Sequence, residues 1–206
     1  TKMFVNLFIG ELVTKNLIDL NKKVSHYLPK IGSGYANAKI QDVLNMNVIN
    51  SYTEDYTKAY SSSFLHEPVG GWRLPKNLKN HLSQEEYLNT IKKSKNKSLI
   101  NNSEYAFYKS ANTDVVGLLI EKVSGRTLRD WVLSVVEAAG FEDGLYIASD
   151  RYGMPWMSGG GCLITRDFLR MGLLFARKGM GVENRKVGSS SFLNKTIVNV
   201  GPKYMN

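Results

Sequence analysis

Tyr108 and Ser110 stand one residue apart in the run Tyr108-Lys109-Ser110-Ala111-Asn112-Thr113-Asp114-Val115. An apolar helical stretch follows and stops at Gly125. A phenol and a hydroxyl held at a helix entrance can pass protons to and from a substrate amide or ester. Neither is activated without a basic partner. The chain offers one at its start, where Lys2 in Thr1-Lys2-Met3-Phe4 opens an apolar helix. An ammonium is no base, so a lysine in this role needs burial or a neighbouring positive charge to free its lone pair.

Further segments give these residues a context. They are Leu17-Ile18-Asp19-Leu20 with Val24, Tyr27-Leu28-Pro29, Val43-Leu44-x-Met46, Glu54-Asp55-Tyr56, Gly71-Trp72, and Gly159-Gly160-Gly161 with Thr165-Arg166-Asp167 and Gly172. In this order they resemble the penicillin-recognising serine hydrolases, in the branch of class C β-lactamases and 6-aminohexanoate-oligomer hydrolases. The most specific match is Tyr-x-Ser-Ala-Asn-Thr-Asp-Val; most of the others are weak singly.

The resemblance implies a serine acyl hydrolase that cleaves amide or ester bonds through an acyl-enzyme. Lys2 would be the general base or proton relay, Tyr108 the partner acid/base and Ser110 a hydrogen-bonding support. Tyr56 and Trp72 match positions that line the acyl pocket and close a loop over it; packing of that loop by its own aromatics is the alternative for both. Asn112 can touch the site, although capping the helix is the more economical role. The implied nucleophile lies three residues before Lys2, ahead of Thr1, and no match to the family's third motif (His-x-Gly or Lys-Thr-Gly) is found. The chain thus reads as a piece of such an enzyme, truncated at both ends and without turnover by itself. A non-catalytic penicillin-recognition scaffold that binds a ligand in the cleft is the alternative from another class.

Other chemistries find little support. His26, His66 and His81 lack metal-ligand spacing and read as surface or core fillers. The triple glycine lacks the Gly-Lys-Ser/Thr ending of a phosphate loop and reads as tight backbone packing. No Gly-x-Ser-x-Gly elbow occurs. A small-molecule amide, ester or β-lactam is the expected partner, and no cofactor is implied. Lys and Arg number 27 against 18 Asp and Glu, a net charge of +9. The densest basic cluster, Lys92 to Lys97, reads as a solvated turn, so a nucleic-acid role is not expected. Cys162 is the one cysteine and, beside Leu163 and Ile164, reads as buried and inert. No run approaches the roughly 18 apolar residues of a membrane span. Any signal peptide would precede residue 1, so the compartment stays open between cell envelope and cytoplasm.

Apolar residues make up 43% and charged residues 22%, as in an ordinary globular chain. The expected fold is mainly α: the helical part of a β-lactamase/transpeptidase-like α+β fold, one partial domain over 1–206, with most of the antiparallel sheet missing. Phe4, Val5, Phe8, Ile9, Leu12 and Val13 form a helical stripe over 3–16. Shorter helices are expected over 39–46 and from the capping box Ser83-x-x-Glu86 to about Lys93. Asp114 suits the first turn of the helix that ends at Gly125. Thr127 opens a helix closed by Gly140, Thr165 caps another with Gly179 beyond it, and Ser189 or Ser190 begins a last one. Segments 35–38, 145–147 and 197–200 are strand candidates. Segment 50–82 reads as a long active-site-type loop.

Overall fold

The computed structural model describes residues 1–77, 81–198 and 201–203. Its elements are α1 (Lys2–Thr14), α2 (Val24–Tyr27), α3 (Ile40–Leu44), α4 (Ser62–Val69), α5 (Gln84–Thr90), α6 (Ser110–Ser124), α7 (Leu128–Ala139), β1 (Tyr146–Ile147), β2 (Gly161–Cys162), α8 (Thr165–Ala176) and α9 (Ser190–Val198), with a 3-10 turn at Val182–Asn184. The protein is mainly helical, as expected. Among the described residues the only sheet is the antiparallel ribbon of β1 and β2, which pairs Tyr146 with Cys162 and Ile147 with Gly161.

Helix α6 is the axis. Its residues from Ser110 through Ile120 are all buried, the pattern of a helix covered on every side. α1, α2, α3, α5 and α7 pack around it. α1 in turn buries Phe4, Val5, Leu7, Phe8, Ile9 and Leu12, and Phe8 lies against the Trp131 ring of α7, 5.3 Å between centroids. Burying each such side chain stabilises by about 1.5–3 kcal/mol, enough to fix where the end of α1 points.

Local chemistry sets the helix ends. The Ser83 hydroxyl accepts the Glu86 amide at 3.2 Å, and the Glu86 carboxylate accepts the Ser83 amide at 2.7 Å. The Thr127 hydroxyl accepts the Asp130 amide at 3.1 Å. Gly125 and Gly140 close α6 and α7 with φ of 66° and 68°, a left-handed exit that glycine adopts without strain.

Several expectations need correction. Thr165 does not cap α8: Ile164 occupies the cap and no side chain bonds there. Asp167 instead turns back to accept the Glu142 and Asp143 amides, both at 3.0 Å. Segment 50–82 contains α4, capped by the Ser61 hydroxyl on the Phe64 amide, with Pro68 in the last turn of that helix. Residues 35–38 form turns, with the Tyr35 amide on the Gly32 carbonyl. Of the strand candidate 197–200, Ile197 and Val198 continue α9, and residues 199 and 200 lie outside the described residues. Cys162 is exposed, because β2 is a two-residue strand, Gly161–Cys162, whose residues are both open to solvent. Among the described residues, no helix is long and apolar enough to cross a membrane.

Candidate active site

The N-terminal ends of α1 and α6 converge with the turn before β2. Lys2 directs its Nζ onto the Ser158 carbonyl oxygen. The same nitrogen stands over the Tyr108 ring, 5.7 Å from its centroid. Thr1 donates its hydroxyl to the Gly159 carbonyl at 3.1 Å. The glycines make this approach possible. Gly160 has φ of 65°, and a Cβ there would strike Ala148 and the Trp156 and Trp72 rings. A Cβ on Gly161 would strike the Thr1 methyl.

The two residues that follow Tyr108 are anchored. Lys109, the N-cap of α6, is almost fully buried and donates its Nζ to the Tyr52 carbonyl. Its ammonium also lies 4.6 Å from the Phe107 ring centroid, and burial lowers its pKa to about 8. The Glu54 carboxylate accepts the Ser110 amide at 2.8 Å and the Ser110 hydroxyl at 2.7 Å. Tyr56 donates its hydroxyl to the same carboxylate. Partial burial first, and then this bond, push the Tyr56 pKa up to about 12, so the phenol keeps its proton and acts as a donor. Glu54 is the hub that links Ser110 to Tyr56, a role no single-residue signal announces.

Trp72 is 57% exposed, with its ring 6.4 Å from that of Trp156 and in reach of Gly160. It stands at the rim rather than in the packed interior. Asn112 has another placement. It is fully buried, accepts the Tyr35 hydroxyl at 2.8 Å and donates to the Val43 carbonyl at 3.3 Å. It ties α6 to α3 and does not cap the helix, whose cap position belongs to Lys109.

Beneath Lys2 lies a second polar layer. Asp114 Oδ1 accepts the Ser158 amide at 2.9 Å, so Asp114 and Lys2 grip opposite ends of one residue. Asp114 Oδ2 and His66 Nε2 face each other at 3.9 Å, both buried and without a hydrogen-bond partner. Burial raises the Asp114 pKa to about 7 against the pull of Ser158 and Lys2, and lowers that of His66 to about 3. The imidazole is therefore neutral at ordinary pH and the contact is not an ion pair. His66 is packed by the rings of Tyr87, Tyr52 and Trp156. His66 is a buried core residue, as expected, whereas Asp114 is the fifth residue of α6 and lies beyond its first turn; nothing local marks that the two meet in the fold. Among the described residues, no group of three His, Cys, Asp or Glu side chains is arranged to hold a metal.

In sequence, the chain is 27% identical over 192 residues to the 6-aminohexanoate-dimer hydrolase of Paenarthrobacter ureafaciens, covering 91% of this chain and 46% of that protein. In structure, it matches a candidate 6-aminohexanoate-dimer hydrolase from Bacillus anthracis with a TM-score of 0.76 at 20% identity, over 98% of this chain and 52% of that one. A penicillin-binding protein from Bacillus halodurans matches with a TM-score of 0.63 at 18% identity, over 96% and 62%. The fold is that of the penicillin-recognising serine hydrolases, and the sequence match supports the same family. A D-stereospecific amidohydrolase from Streptomyces also shares this fold, with a TM-score of 0.63 at 18% identity over 98% and 64% of the two chains. No protein-family model matches the chain. The chain spans about half the length of the curated relative it matches. It therefore presents the helical part of the penicillin-recognising fold, with Lys2, Tyr108 and the Glu54 hub on one face of it.

Proposed function

We propose that this chain is one partial domain of a serine acyl hydrolase that cleaves amide or ester bonds through an acyl-enzyme. The single observation that carries the reading is the meeting of the Lys2 amine and the Tyr108 ring, from the starts of two different helices, at 5.7 Å. A serine three residues before Lys2 in the full-length protein would share its helix face and attack the carbonyl. Lys2 takes the serine proton, and Tyr108 delivers a proton to the leaving group. Ser110, fixed by Glu54, supports Tyr108. Tyr56 offers its hydroxyl to the scissile amide nitrogen once Glu54 releases it, and Trp72 covers the acyl chain and excludes water. The names of the relatives, a 6-aminohexanoate-dimer hydrolase and a D-stereospecific amidohydrolase, favour an amide as substrate.

The test uses the full-length protein and a fluorophosphonate, with the product mapped by mass spectrometry. The expected adduct is stoichiometric and sits on a serine three places before Lys2; Lys2→Ala slows its formation by on the order of 10²-fold or more. Another residue type at that position, with no adduct and with ligand binding retained, would establish the non-catalytic binding module instead.

A further inference from the structure

We propose that Asp114 is a positioning residue for Lys2: one carboxyl oxygen holds the Ser158 peptide that receives the Lys2 amine, and the other shares a proton with His66, whose tautomer switches as that proton leaves. The proposal rests on the reading of Lys2 as a proton carrier. Its geometric basis is a continuous path. Lys2 Nζ donates to the Ser158 carbonyl, the Ser158 amide donates to Asp114 Oδ1 at 2.9 Å, and Asp114 Oδ2 faces His66 Nε2 at 3.9 Å. His66 Nδ1 meets the Tyr52 hydroxyl at 3.3 Å. Oδ2 and Nε2 are buried polar atoms without a hydrogen bond, as is the Ser158 hydroxyl, which also acts on Asp114; one proton placed between Oδ2 and Nε2 satisfies those two after a shift of about 1 Å.

Two arrangements account for every proton. With Asp114 neutral, its carboxyl O–H donates to a bare His66 Nε2, and Nδ1–H donates to the Tyr52 oxygen. With Asp114 ionised, Nε2–H donates to the carboxylate, and the Tyr52 hydroxyl donates to a bare Nδ1. One proton leaves to solvent between the two states, and the imidazole stays neutral throughout with its hydrogen moved from Nδ1 to Nε2. The groups facing the pair are Lys2 from α1, Tyr87 from α5, and Tyr35 and Tyr52 from the preceding turns. Burial raises all three phenols above their ordinary range, so none of them ionises near neutrality. Lys109 lies behind Tyr52, on its carbonyl. Ionised Asp114 sets a negative charge one residue from the Lys2 amine, and the two attract. Neutral Asp114 relieves that attraction while the Ser158 carbonyl still fixes the amine.

The test is ¹⁵N NMR of the full-length protein with labelled histidine and labelled Ser158, titrated from about pH 5 to 9. The Ser158 amide should step with a midpoint near 7. The Nδ1 and Nε2 resonances of His66 should exchange character over the same step. Asp114→Asn should abolish the Ser158 step. His66→Phe, which keeps a ring against Tyr87 but cannot bond Oδ2, should move it to higher pH. In the kinetics, Asp114→Asn should lower kcat about tenfold with KM little changed and flatten the pH dependence of kcat around neutrality. A Ser158 amide that does not titrate, a step that survives Asp114→Asn, or a His66 tautomer that stays fixed through the step would overturn the proposal. NMR steps in a protein that forms no acyl-enzyme would leave the pair standing and sink the hydrolase reading. An active, Lys2-dependent enzyme without those steps would do the opposite.

Discussion

At the scale of single residues, Asp114 and His66 make a prediction that needs no substrate. Asp114 keeps its proton to about pH 7 when folded, against 3.8 ordinarily, so unfolding in that interval releases a proton and stability falls as pH rises. His66 titrates near 3 when folded, against 6.5 ordinarily, so unfolding takes up a proton and stability rises with pH. Each slope reaches at most about 1.4 kcal/mol per pH unit. Between about pH 4 and 6.5 they oppose, and the pair contributes little pH dependence. Asp114→Asn should uncover the rising limb from about pH 3 to 6.5, and His66→Phe the falling limb from about pH 4 to somewhat above 7. Urea midpoints measured across pH would show it; slopes of the same sign in both variants would contradict two neutral partners. Tyr56 carries a second prediction. Its hydroxyl now donates to Glu54. If the full-length protein is the proposed hydrolase and this hydroxyl is freed to donate to a leaving amine, Tyr56→Phe should reduce kcat/KM on an amide more than on a matched ester, because an amine leaves poorly without a proton. Equal losses would reduce Tyr56 to a loop-packing residue.

At the scale of elements, cap chemistry separates two threonines that look alike in sequence. The Thr127 hydroxyl accepts the Asp130 amide at 3.1 Å, so Thr127→Ala should cost about 1 kcal/mol in chemical denaturation. Thr165 makes no cap bond and is exposed, so Thr165→Ala should stay within about 0.5 kcal/mol. Gly160→Ala should be harsher than either, because it places a Cβ at φ of 65° against Ala148 and the two tryptophans. A shift in tryptophan emission together with loss of stability would report it, and an unchanged spectrum would argue against the packing. These contrasts also show what was legible in the sequence. The capping box at Ser83, the glycine exits of α6 and α7 and the stripe of α1 are local patterns, and each appears where its residues place it. α4 lies inside segment 50–82, which reads as a loop, and it forms with Pro68 inside it. The bonds between Glu54 and Ser110 and between Asp114 and Ser158, and the facing of Asp114 by His66, join residues far apart in the chain. No local periodicity encodes such pairings.

At the scale of the whole molecule, the candidate site is built from the ends of elements around one buried helix. Phe8, between α1 and Trp131, is part of what aims Lys2, and Phe8→Ala should cost about 3–5 kcal/mol while loosening the start of α1. The core lies in the helical layer, whereas the ribbon of β1 and β2 leaves Tyr146 and Cys162 open to solvent. Enclosure of α6 on all sides has a further consequence, and it concerns time. Backbone amides in a surface helix trade their hydrogens with water through local fraying, but those from Val115 to Ile120 have no such route and must await disruption of the surrounding helices. In deuterium oxide they should be the last to exchange, at a rate that tracks global unfolding. Ser110 and Asp114 ride near the start of that same helix, so the exchange of its interior reports how rarely the face that carries the candidate site comes apart.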